Sequence, residues 1–271
     1  MTAYENIGIL GCGWLGKATA QALISKGYKV KGSVTSAERI EDLKRSGVDP
    51  YVIKLDKSDE IKNLKAFLHN LEILIIAIPP KIKHSEYTLL DSLKLMFKNY
   101  DINHIDKLIY ISSTGVFKDG IDAVYNEDSK PNNTSERAKL LINLENLVLS
   151  QKSTFKSVIL RYGGLIKHGG RHPVRFLSSK KNIANPESPV NLIEQKDAVK
   201  LLIRIIEIDC QQNIFHGVYP AHPSREKYYS AKAKELGLSQ PEFDQSKKSD
   251  GKTISSDKTQ KILKFNFESG I

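Results

Sequence analysis

The stretch Ile9–Thr19, ILGCGWLGKAT, decides how the rest of the chain is read. Gly11-x-Gly13-x-x-Gly16 fits the glycine pattern of a dinucleotide-binding turn, and Gly11 to Lys17 fits all but the last position of a triphosphate P-loop. Both patterns follow a strand and open a helix, where unpaired N–H groups and the helix dipole favour an anion. A P-loop needs a hydroxyl directly after its lysine to hold Mg²⁺. Ala18 has none, and Thr19 comes one place late, about 100° round a helix. The aspartate of a P-loop protein at the end of another buried strand is also missing: ILIIAI (73–78) runs into Pro79-Pro80, and LIYI (108–111) into Ser112-Ser113. The dinucleotide pattern asks for a tight turn at Gly11, close ligand approach at Gly13 and close helix–strand packing at Gly16. Trp14 and Leu15 complete that loop. A glycine turn with a purely structural role is the bland alternative.

Outward from this turn, apolar runs alternate with helical periodicity. Strands are predicted at 7–10, 28–34, 51–55, 72–78 and 107–112, with helices at 14–26, 37–46, 59–69 and 83–100 between them. The βαβ rhythm and the wholly apolar strands predict an α/β fold, a doubly wound parallel sheet covered on both faces. A polar loop (118–133), a helix (135–150) and a strand (157–161) follow. Then come GGLIKHGGRHP (163–173), a helix at 195–208, a strand at 214–219 and a tail with two short helices. In domain terms, residues 1–162, continued by 190–220, are expected to form the Rossmann domain. Residues 163–189 and 221–271 are expected to form a smaller, substrate-side region.

Composition narrows the class. In 271 residues, 40% are hydrophobic and 27% charged, which fits a packed globular protein. The net charge of +10 comes from 41 basic and 31 acidic residues, but the lysines are scattered with no aromatic-studded stripe, so no nucleic-acid partner is expected. Cys12 and Cys210 form no CxxC motif and are expected to be reduced, buried thiols in a cytoplasmic protein. The opening MTAYENIGIL lacks the features of a signal peptide, and the run 73–78 is too short to span a bilayer, so no membrane association is expected. His168 and His172 are four apart, but Gly169-Gly170 and Pro173 speak against a helix and no HExxH occurs, so no metal is expected. There is no Gly-x-Ser-x-Gly elbow.

The cofactor follows from the second strand. An NAD site carries an acid about 20 residues after the glycines, where it holds the ribose hydroxyls. Here the strand reads YKVKGSVTSAERI (28–40), with no acid before Ala37. Ser33, Thr35, Ser36 and Arg39 stand there, with Lys31 nearby, and hydroxyls and cations suit a 2′-phosphate. NADP is therefore the expected cofactor, with NAD the lesser alternative. Ile78, Pro79 and Pro80, where the fourth strand ends, complete the candidate cofactor residues.

The order of GILGCGWLG, LIIAIPP, LIYISSTGVF, SERAK, LRYGGLI and VNLIEQKDAV resembles the atypical and extended short-chain dehydrogenases/reductases, the NAD-dependent epimerase/dehydratase-like proteins. The resemblance spans nearly the whole chain. It implies a Ser after the fifth strand, a Tyr-x-x-x-Lys on the next helix, and a small polar substrate, anionic or sugar-like. Carried over by position, Ser113 is the Ser, with Thr114 beside it, and Lys139 is the Lys and a cofactor contact. Ser135 stands where the Tyr belongs. An aliphatic hydroxyl titrates far above a phenol and is a poor general acid near neutrality. Three readings stay open: Tyr125 or Tyr162 takes over; the proton comes from water or substrate; or the protein binds NADP without turnover, as a sensor or scaffold. The resemblance also places Lys167, His168, Arg171, His172 and Arg175 beside the substrate, with Tyr162 and Asn191, the latter expected to open a helix. Pairing of two copies through helices 83–100 and 135–150 is the implied homodimer.

Overall fold

The computed structural model describes residues 4–55, 61–80, 88–151 and 155–271. The first part of the chain alternates strictly. β1 (Asn6–Leu10), α1 (Trp14–Ser25), β2 (Lys29–Val34), α2 (Ile40–Lys44), β3 (Asp49–Val52), α3 (Leu64–Leu68), β4 (Ile73–Ile76), α4 (Leu89–Asn99) and β5 (Lys107–Ser113) follow one another. Then come β6 (Ala123–Tyr125), α5 (Glu136–Leu149), β7 (Lys156–Tyr162), β8 (Gly164–Ile166), α6 (Val174–Leu177) and β9 (Leu192–Glu194). The chain continues with α7 (Gln195–Glu207), β10 (Ile214–Gly217), α8 (Arg225–Glu235), β11 (Lys252–Ile254) and α9 (Asp257–Leu263).

Seven strands form one sheet in the order β3-β2-β1-β4-β5-β7-β10. The pairs β3–β2, β2–β1, β1–β4 and β4–β5 are parallel. This is the predicted doubly wound α/β architecture. Its strand order reverses between β1 and β4, which opens a crevice at their carboxyl ends, where such folds take ligands. The switch-point strands are apolar because both faces are covered: Ile73, Leu74, Ile75 and Ile76 of β4 are all fully buried.

The elements differ from the prediction where local pattern is weakest. The helix expected at 59–69 is only α3 among the described residues, because Asn63 sits in the left-handed region (φ 66°) and interrupts it; 59–60 lie outside the described residues. The helix expected from 83 is described from Leu89, with Thr88 as its N-cap in a capping box closed by Asp91. Residues 83–87 lie outside the described part. β3 lies two to three residues earlier than expected and contains Pro50, which an edge strand tolerates because the missing N–H faces no partner.

The chain divides into two compact units. The first comprises Met1–Ser113, Ser135–Leu160 and Val199–Ile214, and one of its core clusters includes Leu10, Leu64, Leu74, Met96, Leu108, Tyr110, Leu144 and Ile159. Lys107, nearly fully buried, donates to the carbonyls of Ile205, Ile206 and Ile208 and so satisfies the C-terminal end of α7. The second unit comprises Thr114–Thr134, Arg161–Ala198 and Phe215–Ile271. It holds two small parallel pairs, β6–β11 and β8–β9, and an apolar cluster of Ile166, Val174, Val190, Leu192, Tyr228, Tyr229 and Ala233. The loop predicted at 118–133 thus contains a strand whose partner lies about 130 residues away, a pairing no local pattern reveals. No helix among the described residues is long and apolar enough to cross a membrane.

Candidate functional site

The glycine turn sits at the carboxyl end of β1, against the end of β4, where the Ala77 N–H donates to the Leu10 carbonyl (2.9 Å). Gly11 has φ +108°, and a side-chain carbon there would lie 2.8 Å from Ile78 Cγ1. At Gly16 such a carbon would stand 2.4 Å from the Gly11 carbonyl oxygen, so α1 can pack this closely on the turn only without a side chain. At Gly13 it would meet nothing within 4 Å. The first glycine makes the turn, the third allows the packing, and the second faces open space beside the N-terminus of α1, a 12-residue helix with no side-chain cap. This geometry fits a dinucleotide pyrophosphate, which would meet helix amides and the positive end of the dipole. Trp14 is half-buried and Leu15 buried at the start of α1. Beyond β4, Ile78 touches the turn, Pro79 is exposed and Pro80 buried.

The polar set predicted on β2 separates. Ser33 is buried under the turn, and its Oγ accepts the Gly11 N–H (2.8 Å). It therefore does not stand out toward a 2′-phosphate. Lys31 is turned to the end of α3, where it donates to the carbonyls of Ala66 and His69. Thr35 is exposed, while the Ser36 hydroxyl bonds the Glu38 carboxylate and lowers its pKa. Arg39 reaches back over the turn and donates to the Cys12 carbonyl (3.0 Å). Asp42 accepts from Lys17 at 2.6 Å, and this bond, with Arg45 and Arg39 nearby, holds its carboxyl below the usual range. Cys12 is buried, and burial pushes its thiol up to about 12, so it is inert packing against Gly32. Cys210, expected to be buried, is only half-buried; both thiols are free.

The carry-over positions sit on β5 and α5. Ser113, half-exposed, is the last residue of β5. Lys139 is exposed on the first turns of α5. Ser135 is the N-cap of α5, its side chain accepting the Ala138 N–H (3.3 Å). The residue in the Tyr position thus performs a helix-capping task that Ser suits and Tyr does not. A further polar pair was missed: Ser112 donates to Glu145 on α5 at 2.6 Å, both side chains buried. The signal was Glu145 itself, on the face of α5 that carries Leu141, Leu144 and Val148.

In the second unit the expected substrate-side residues have mixed surroundings. Thr114 is buried at the start of a 3₁₀ turn, Thr114–Val116. Tyr162 is fully buried and donates to the Ala198 carbonyl (2.5 Å), and burial raises its pKa well above that of a free phenol. A hydroxyl so placed is a core group, which removes Tyr162 as a stand-in proton donor. Tyr125 stacks on Phe117, and its hydroxyl donates to the Lys118 carbonyl and accepts from Asn132. Asn191 does not open a helix; it precedes β9, and both ends of its amide bind the backbone of β11, at Lys252 and Ile254. Arg171 is exposed in the glycine-rich loop, but His172 is buried, its Nδ1 accepting the Val174 N–H and its Nε2 bonding Tyr228. Among the described residues no cluster of three or more metal-ligating side chains occurs.

Residues 6–94 match the family model of coenzyme F420-dependent NADP oxidoreductases. The chain is 28% identical to Protein YeeZ of Escherichia coli K12, with 97% of this chain and 96% of that protein covered. Among solved structures, a functionally unknown conserved protein from Silicibacter pomeroyi superposes with a TM-score of 0.79 at 16% identity, covering 98% of this chain and 95% of that one. The UDP-glucuronic acid 4-epimerase of Bacillus cereus, solved with NAD, superposes with a TM-score of 0.75 at 18% identity, covering 96% and 93%. These solved structures share the chain's fold.

Proposed function

We propose that this protein is an NAD(P)-dependent oxidoreductase or epimerase/dehydratase-like enzyme, with NADP preferred, acting on a small polar substrate of anionic or sugar-like character in the cytoplasm. The observation that carries the reading is the glycine turn, closed at Gly11 and Gly16 and open at Gly13 beside an uncapped helix N-terminus. Gly11, Gly13, Trp14, Leu15 and Gly16 would hold the pyrophosphate, and Ile78 to Pro80 would flank it. When bound, the nicotinamide supplies or accepts hydride. The NADP preference rests on Thr35, directly after β2, and Arg39, in the 3₁₀ turn that follows, with the Glu38 carboxylate opposing it. Ser113 and Lys139 are the residues assigned to the reacting oxygen and the nicotinamide ribose. Thr114 and Arg171 are assigned to the substrate.

A second reading, an NADP-binding sensor or scaffold without turnover, is favoured by one observation. Ser135, where the resemblance calls for a phenol, is occupied as a helix cap. Titration of the protein with NADPH and NADH tests both readings at once: NADPH is expected to bind more tightly, and no binding of either would end both. Turnover on carbonyl and sugar-nucleotide substrates, abolished by Lys139→Ala, separates the enzyme from the sensor.

A further inference from the structure

We propose that Ser33 is a positioning residue of the dinucleotide site, acting through the glycine turn and not by touching the ligand. The inference rests on the dinucleotide reading above. The turn has three backbone amides ahead of α1, and Ser33 takes two of them. The Gly11 N–H donates to Ser33 Oγ (2.8 Å), the Cys12 N–H donates to the Ser33 carbonyl (2.7 Å), and the Gly13 N–H folds back onto the Gly11 carbonyl (2.8 Å). The regular β1–β2 register ends at Ile9 and Gly32, so the hydroxyl of Ser33 supplies an acceptor just where the turn leaves the ladder. Ser33 is 3% exposed, which leaves the side chain no surface to offer a ligand. The next peptide of the turn is held from the rim, by Arg39 on the Cys12 carbonyl. From below, Cys12 packs on Gly32, where a side-chain carbon would lie 2.6 Å from Cys12 Sγ.

Without the hydroxyl, the half-buried Gly11 amide loses its acceptor, and the turn has to relax or admit water. The consequence falls on whatever the amides of α1 hold. It falls equally on every dinucleotide, because the pyrophosphate is common to all of them. A side chain that met a 2′-phosphate would behave differently, since its removal would be felt by NADPH alone.

The test is titration of wild type, Ser33→Ala and Ser33→Thr with NADPH, NADH and ADP-ribose, together with hydrogen exchange of the wild-type backbone. Ser33→Ala is expected to weaken all three ligands by a similar factor of about ten, and Ser33→Thr to restore binding. The wild-type Gly11 and Cys12 amides are expected to be protected without ligand. A loss confined to NADPH, or no loss, would overturn the inference and leave the dinucleotide reading intact. Wild type that binds none of the three would overturn both. Should the Ala variant fail to fold, exchange at Gly11 and Cys12 in wild type as fast as in an open loop overturns the inference on its own.

Discussion

Ser112 and Glu145 join the end of β5 to the middle of α5 by a hydroxyl–carboxylate hydrogen bond of 2.6 Å, with both side chains nearly inaccessible. Neither residue is a carry-over position, yet their elements bear Ser113, Ser135 and Lys139. The bond therefore joins the two elements that carry the candidate catalytic residues.

Glu145→Ala removes a buried acceptor and leaves a cavity beside Leu141 and Leu144. A loss of roughly 2–4 kcal/mol is expected, against about 1–2 kcal/mol for Ser112→Ala. Urea denaturation of both variants and of the double variant measures this, and strict additivity would show that the two groups do not act on each other.

The glycines of the turn are expected to respond in opposite ways. Gly16→Ala drives a carbon against the Gly11 carbonyl oxygen and should lower the thermal midpoint as well as abolish dinucleotide binding. Gly13→Ala meets open space, so the midpoint should hold while the methyl group fills the cradle and weakens NADPH at least tenfold. Calorimetry with and without NADPH separates the two, and equal midpoints for both variants would contradict the geometry.

Ser135→Ala removes the cap of α5 and is expected to cost about 1 kcal/mol, with Ser135→Asp close to wild type. Affinity for NADPH should stay unchanged in both, because the side chain serves the helix. A large loss of NADPH affinity with no loss of stability would assign Ser135 to the ligand instead.

Burial lowers the pKa of His172 and of His216 to about 4 from the 6.5 of a free imidazole. For His172, Lys232 and His168 add to the effect of burial; for His216, Arg161 adds and the bond to the Ser255 carbonyl opposes. With the folded values below the unfolded ones, the unfolded chain binds more protons between the two. The stability these groups contribute is complete above pH ~6.5 and is lost as pH falls toward ~4, by up to about 3 kcal/mol each. His172→Asn keeps an acceptor near the Val174 amide but no longer titrates. Its denaturation midpoint should fall less than that of wild type between pH 7 and pH 4.5.

Much of the sheet could be read locally. The runs 7–10 and 72–78 are apolar because strands buried on both faces must be, and the glycines after β1 mark a turn whatever surrounds them. The N-cap role of Ser135 is also legible, as a Ser directly before a helical period. What could not be read was direction. Ser33, Thr35 and Ser36 look alike as hydroxyls near a strand end. Only the Gly11 amide, 22 residues earlier, turns Ser33 inward.

The sequence by itself determined the alternation of strands and helices, the site of the glycine turn and the exclusion of a triphosphate loop. These follow from side-chain period, backbone freedom and the chemistry of single positions, all local properties. The tertiary structure alone decided which polar groups remain for chemistry. Tyr162 went to the Ala198 carbonyl, Asn191 to the backbone of β11 and Ser33 to the glycine turn. The reason is the cost of burying an unpaired polar group, which ties each hydroxyl or amide to whatever distant backbone the fold brings beside it.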